Sequence, residues 1–248
     1  MRRFILSIAM LAMTAGSAWA QTYNQRFDTD RDGKVSLSDV TYLVDYLLGK
    51  VDPYEYVDLG LPSGTLWATC NVGAESPEEY GDYFAWGETE KKSNYDWSTY
   101  AHCNGSSSTL TKYCQDSSYG YNGFTDTLTE LEPEDDAAYV NWGSEWRMPT
   151  KTQQDELRTE CTWTWTTQNG VNGRLVTGPN GNSIFLPAAG CRYESSLYRA
   201  GSDGYYWSRT LGTSDPNNAY FLYFYSGNVY WGYDYRYGGR SVRPVRNQ

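Results

Sequence analysis

The sequence predicts an α+β domain with much irregular loop, preceded by a small loop–helix segment. Two observations point to the domain. From about Tyr56 onward, short apolar runs are punctuated by Gly-rich turns, and long periodic stretches are scarce. Inside that texture one helical pattern and several β-rich runs can be placed. The third observation lies at the front: an acidic loop, Asp28 to Asp39, runs straight into residues with one apolar helical face.

The first twenty residues read as an export signal. Arg2 and Arg3 give a charged start, Phe4 to Ala12 a short apolar run, and Ala18-Trp19-Ala20 a small-x-small cleavage site, so the mature chain is expected to begin near Gln21. A membrane anchor is the competing reading. The apolar run is far short of the ~20 residues a spanning helix needs, and no later segment offers such a run. No Cys follows the cleavage site to take a lipid. The expected location is periplasmic, cell-surface or secreted.

Residues 21–50 form the next unit. Asp28, Asp30 and Asp32 alternate, Gly33 follows, and Asp39 stands at the twelfth place, the D-x-D-x-D-G calcium-loop pattern. Calcium takes six to eight hard oxygens, and carboxylates at alternate positions converge as such a loop wraps. Gly33 permits the sharp turn. Lys34 would offer its carbonyl, and Ser36 its hydroxyl or a water. The expected ligands are therefore Asp28, Asp30, Asp32, Lys34, Ser36 and Asp39; the bland alternative is a solvated acidic turn. Val40, Leu43, Val44, Leu47 and Leu48 then mark one face of a helix from Leu37 to Leu48, closed by Gly49. No helix has room before the loop, so this is not a complete EF-hand.

Pro53 marks a linker. Beyond it a helix is predicted over Thr150 to Cys161, with Thr150 as cap and Leu157 as apolar anchor. A hairpin is predicted over Arg174 to Pro187, because Pro179-Asn180-Gly181 joins two β-rich runs. Gly204 to Ser208 and Asn218 to Tyr225 read as strands. The Ser-, Tyr- and Gly-rich stretch from Asn94 to Gly123 is long for a compact domain and is read as a binding loop or a partly mobile one.

Composition narrows the function. A net charge of −10 and a pI near 4.6 argue against nucleic acid and anionic membranes, because phosphate contacts need clustered Lys and Arg. Aromatic residues reach 17 %, more than a core requires, and surplus Tyr and Trp are the usual material of contact surfaces. Five cysteines, Cys70, Cys103, Cys114, Cys161 and Cys191, leave at least one unpaired within the chain. Cys103 and Cys114 flank a Ser-rich loop and are the expected bridge, with buried thiols as the alternative.

Catalytic readings find little support. His102 is the single histidine and sits in a Ser- and Gly-rich loop, where a solvated role is the default. One histidine also removes most zinc schemes. Glu130, Glu132, Glu134, Asp135 and Asp136 form a charge run, expected to be a solvated face rather than a glycosidase pair.

Contact residues concentrate near the C-terminus. In Phe221-Leu222-Tyr223-Phe224-Tyr225, alternation sends Leu222 and Phe224 to the core and Phe221, Tyr223 and Tyr225 outward. Tyr230, Tyr233, Asp234, Tyr235 and Tyr237 follow the turn at Ser226-Gly227. Val242 is expected beneath this surface. The predicted ligand patch is thus Phe221, Tyr223, Tyr225, Tyr230, Tyr233, Asp234, Tyr235 and Tyr237; core packing or dimerisation of the same rings is the alternative.

Three stretches carry a resemblance: Val57-Asp-Leu-Gly-Leu-Pro-Ser-Gly-Thr-Leu-Trp-Ala-Thr-Cys70, Trp142-Gly-Ser-Glu-Trp-Arg-Met-Pro-Thr150 and Ile184-Phe-Leu-Pro-Ala-Ala-Gly190. Together, over residues 55–246, they resemble the Fibrobacter succinogenes major paralogous domain, a family similar to the C-type-lectin-like and formylglycine-generating-enzyme fold. The resemblance implies a C-type-lectin-like domain with little regular structure and a loop-rich binding face. The tail, residues 217–240, looks like the variable region of proteins diversified by retroelements, which implies a ligand-binding C-terminal surface. The acidic loop with its helix is similar to one half of a dockerin repeat. Dockerins carry two such repeats, and a single repeat leaves a cohesin-like partner as a weaker implication. No active-site Cys is carried over from formylglycine-generating enzymes onto Cys161 or Cys191. The Glu-Pro-Asn and Trp-Asn-Asp sugar motifs of calcium-dependent lectins are absent; Gly178-Pro179-Asn180 and Asp215-Pro216-Asn217 are the nearest. The expectation is an exported, non-enzymatic ligand-binding or adhesion protein with an unknown protein or glycan ligand. Its alternative is an accessory component of a polysaccharide-degrading complex, attached through the dockerin-like segment.

Overall fold

The computed structural model describes residues 35–47, 54–212 and 214–246. They fall in two units, divided after Pro53. The expected export signal and Asp28, Asp30, Asp32 and Lys34 lie outside the described residues, as do Leu48 and Gly49. In the first unit, α1 spans Leu37–Leu47. Ser36 stands just before it, and the Asp39 carboxylate accepts from both the Ser36 backbone N–H (2.7 Å) and its hydroxyl (3.0 Å). That link satisfies a donor that a helix start leaves open. Val40 and Leu43 are half-buried and Val44 is exposed.

The second unit is mostly small antiparallel sheets with few helices, α+β in the broad sense. β1 (Tyr56–Asp58) and β2 (Leu66–Ala68) pair, and β2 also pairs with β11 (Val245–Arg246), so the last strand closes onto the first ones. Two helices follow, α2 (Ala137–Trp142) and α3 (Lys151–Glu160). Asp136 caps α2, accepting from the Ala138 and Tyr139 N–H groups, and also receives the Met148 N–H. This acid is wholly buried, so the charge run expected to be a solvated face is solvated only in part. Thr150 caps α3 through a reciprocal capping box with Gln153, and Leu157 is its buried anchor.

β3 (Thr162–Gln168), β4 (Val171–Thr177) and β5 (Ser183–Pro187) form one meander, with the β4–β5 turn at Pro179-Asn180-Gly181. β6 (Cys191–Tyr193) and β7 (Ser196–Tyr198) form a short hairpin. β8 (Asp203–Leu211), β9 (Asn218–Tyr225) and β10 (Val229–Tyr235) form the third sheet, with β9 central. Its strands are rich in Tyr, Phe and Trp, which favour a pleated surface. The β9–β10 hairpin turns on two residues, Ser226 and Gly227, with the Tyr225 N–H donating to the Asn228 carbonyl at 3.1 Å.

Both faces of this sheet are buried along part of their length. One face carries Trp207 and Phe221 into a core with Phe84, Trp86, Tyr113 and Val242. The other carries Tyr206, Leu222 and Phe224 into a core with Leu157, Ile184 and Leu186. Phe221, expected to face outward, is therefore buried. The alternation argument holds for strands with one wet face, and β9 is dry on both faces at Phe221 and Leu222. Phe221 lies across Gly232, directly opposite on β10, where an added Cβ would come within 2.8 Å of the ring.

The loop from Asn94 to Gly123 is packed. Tyr95, Tyr100, Leu110, Tyr113 and Cys114 are all buried. Backbone bridges join Cys103 to Leu110 and Leu110 to Gly120. Cys103 and Cys114 do not form the expected bridge: their thiols face different carbonyls, Trp97 and Asp116, each at 3.1 Å, and all five cysteines are free. His102 is not solvated. Its Nε2 lies 2.7 Å from the Gly87 carbonyl, and burial holds its pKa below the ordinary value of 6.5.

Loop carbonyls need donors that regular ladders do not supply. Three arginines near the C-terminus, Arg236, Arg240 and Arg243, are wholly buried. Arg243 donates to the carbonyls of Ala68, Thr69 and Phe185 and to Asn71 Oδ1, at 2.6–3.0 Å. Arg236 donates to the Tyr113 carbonyl at 3.1 Å. Among the described residues no helix is long and apolar enough to cross a membrane.

Candidate binding site

Side chains of directly paired strand residues share a face, and successive residues alternate. Tyr205, Tyr223 and Tyr230 are paired across β8, β9 and β10 and so form one row. Their ring centroids are 4.8 Å apart at both steps. Tyr225, next on the same face, lies 6.0 Å from Tyr223. The Tyr223 hydroxyl donates to buried Asp203, whose second oxygen accepts from the Ser202 hydroxyl at 2.5 Å. Tyr205 and Tyr223 are half-buried, whereas Tyr225 and Tyr230 are exposed.

The β6–β7 hairpin stands beside this row and makes a cleft of about 440 Å³, lined by Cys191, Tyr193, Tyr198, Arg199, Tyr205 and Asp234. At its base the Tyr193 hydroxyl donates to Asp234, and Arg240 donates to Asp234 (2.7 Å) and to the Tyr193 oxygen (2.9 Å). Arg240 has no exposure and is sandwiched against Phe221 and Trp207, at 3.8 and 4.3 Å from their ring centroids. Asp234 is thus held by a buried cation while remaining 38 % exposed, open to a ligand. Tyr235 and Tyr237 stack at the end of β10 (5.7 Å), and Tyr237 reaches Tyr193 at 6.0 Å. Trp97 packs edge-on against both.

Five of the eight predicted patch residues gather here, Tyr223, Tyr225, Tyr230, Asp234 and Tyr237, while Tyr235 alternates to the other face of β10 and joins only through its stack on Tyr237. The other two do not. Phe221 lies beneath, and Tyr233 is on the opposite face of β10, paired with Tyr220. There Tyr220 and Trp231 meet at 5.3 Å, with Lys151 3.9 Å from the Trp231 ring centroid. The period of two that sent Tyr223 and Tyr225 outward necessarily divides Tyr230 from Tyr233. Sequence reasoning missed Tyr193, Tyr198 and Tyr205; Gly204-Tyr205-Tyr206-Trp207 gave the only hint, since alternation must expose one of the two tyrosines more than the other. Ser36 and Asp39 sit at the start of α1, and the remaining predicted calcium ligands lie outside the described residues.

The cleft's acidities favour hydrogen-bond donation over nucleophilic attack. Burial pushes the Tyr205 phenol up to about 12 and raises those of Tyr193 and Tyr223 as well, so all three remain protonated donors at neutral pH. Burial also raises the Cys191 thiol, which reduces thiolate and hence reactivity.

One family model, described as a domain of unknown function (DUF8237), matches residues 148–245. No curated protein and no solved structure matches the chain. The chain is similar to this family from just before α3 to β11, a span that includes the β6–β7 hairpin, the β8–β10 sheet and every residue lining the cleft.

Proposed function

We propose that this chain is an exported, non-catalytic binding or adhesion protein that holds a protein or glycan ligand on the tyrosine-lined cleft. The observation that carries the reading is continuity: exposed Tyr225 and Tyr230 join, through Tyr223 and Tyr205, a cleft lined by Tyr198, Tyr193 and Asp234, with Arg240 beneath Asp234. Aromatic rings give large contact area with two torsions to freeze, and a few buried polar groups fix orientation. A C-type-lectin-like fold belongs to the same proposal. Small antiparallel sheets joined by long packed loops, with the last strand closing onto the first, support it. The N-terminal unit is proposed to bind one calcium ion through Asp28, Asp30, Asp32, the Lys34 carbonyl, Ser36 and Asp39. A screen of purified protein against glycans and extracellular proteins tests the binding reading. A ligand whose affinity survives loss of the cleft tyrosines would refute it.

A further inference from the structure

Among the described residues β10 pairs with β9 alone, so its outer edge is open. In an antiparallel pair, alternate residues turn their N–H and carbonyl groups into the ladder, and the others turn them out. Bonds just past both ends of this ladder fix which residues do which. The Tyr225 N–H donates to the Asn228 carbonyl at 3.1 Å, and the Arg236 N–H to the Asn217 carbonyl at 2.9 Å. Counting in twos from either end, Tyr230, Gly232 and Asp234 face β9. Val229, Trp231, Tyr233 and Tyr235 therefore turn their backbone groups outward.

Both ends of that outer row are already closed. The Val229 N–H donates to Asn228 Oδ1 at 2.8 Å and the Tyr235 N–H to Asp234 Oδ1 at 2.7 Å. The Tyr235 carbonyl accepts from the Gly238 N–H at 3.1 Å. Between them, no hydrogen bond among the described residues reaches the backbone groups of Trp231 or Tyr233. Their rings share one face of the strand and are exposed, 37 % and 61 %. Proteins guard such an edge with lysine, proline or a bulge. Val229–Tyr235 contains neither residue and keeps an unbroken register with β9. Its one charge, Asp234, is held by Arg240.

We propose that two copies of this chain join edge to edge through β10, antiparallel, about a two-fold axis at Gly232. That register sets Trp231 opposite Tyr233 of the second copy. Each open N–H then meets an open carbonyl, and two N–H groups from each copy give four hydrogen bonds. A slip of two residues either way places a closed N–H, of Val229 or Tyr235, against an open carbonyl. The open set is thus self-complementary, as a two-fold interface requires. Aromatic residues directly opposite each other stabilise such a pair. The edge also brings no net charge to the contact, although each copy carries −10 overall. These features favour a second copy over an unlike strand. The pairing uses the outer edge of β10 and does not depend on ligand binding in the tyrosine-lined cleft.

So small a contact belongs to the weak, transient class. Sedimentation equilibrium of the full chain should therefore extend to about 1 mM, the range of weak specific association. The expected result is a monomer–dimer equilibrium. Amide hydrogen exchange reads the register: the Trp231 and Tyr233 N–H groups should exchange more slowly as concentration rises. Tyr233→Pro deletes one outward N–H without removing a bond to β9. It should weaken dimerisation about tenfold or more, the loss of two symmetry-related hydrogen bonds. Tyr233→Lys guards the edge with a charge and provides a second variant should proline cost the fold; it too should weaken dimerisation. A monomer at every concentration overturns the proposal and leaves the edge to some other strand. A dimer that keeps its affinity in the folded variants, or leaves both amides unprotected, overturns it as well, because it uses another face.

Discussion

At the scale of single residues, the buried arginines and His102 decide how the loops are held. Arg243 is a cation whose partners are four neutral acceptors, three of them backbone carbonyls, and burial lowers its pKa. Arg243→Leu would strand those acceptors, at about 1–3 kcal/mol for each one left buried without a partner. The variant should lose more than about 3 kcal/mol in urea denaturation; a loss under 1 kcal/mol would contradict the bracing role. His102 makes a pH-dependent contribution. Its folded pKa is depressed below 6.5, chiefly by burial, with Gly87 and Asp135 opposing. The unfolded chain therefore takes up the proton first, and stability falls as pH drops below about 6.5. Denaturation midpoints at pH 7.5 and 5.5 should differ less in His102→Gln than in the parent. An unchanged difference would remove His102 from the account. Neither role was legible in the sequence. Nothing in the sequence singled out Arg236, Arg240 and Arg243, and His102 read as a loop residue, because burial of a loop is a tertiary property with no periodicity to reveal it.

At the scale of elements, the legible parts were those with strong local signals. Thr150 as cap and Leu157 as apolar anchor announced α3, and Pro179-Asn180-Gly181 announced the β4–β5 turn. Thr150→Ala should cost about 1 kcal/mol through the lost cap, measured by thermal or urea unfolding; no change would mean that the cap is redundant. The β9 pattern was legible on one face only. Leu222 and Phe224 are buried as alternation requires, but Phe221 on the other face is buried too, because a second core formed by Phe84, Trp86 and Trp207 covers it. Leu222→Ala should cost roughly 2–5 kcal/mol through its cavity. The row on the opposite face is not uniform. Tyr223 holds buried Asp203 through its hydroxyl, so Tyr223→Ser should destabilise by about 1–3 kcal/mol. Exposed Tyr225→Ser and Tyr230→Ser should each stay within about 0.5 kcal/mol. Equal losses at all three positions in urea denaturation would show that the row is packing rather than surface.

At the scale of the whole molecule, we propose separate chemistries for the two units. The acidic spacing from Asp28 to Asp39 motivates one calcium ion in the N-terminal unit, and calorimetry on the full chain should detect it. Asp28→Ala combined with Asp32→Ala should abolish the heat; calcium binding that survives both changes would place the ion elsewhere. The larger unit carries the central claim, that Tyr198, in the Asp234 cleft, and Tyr225 and Tyr230, on the adjoining row, hold the ligand. Once a ligand is found by screening glycans and extracellular proteins, the direct measurement is its affinity for the triple variant Tyr198→Ser, Tyr225→Ser, Tyr230→Ser, beside the melting temperature of that variant. Aromatic anchors at such positions often contribute about 2 kcal/mol or more each. The account predicts loss of binding by at least a hundredfold with little change in melting temperature. Full affinity in a folded triple variant, or loss of binding on changing Tyr233 and Trp231 of the opposite face instead, would contradict it.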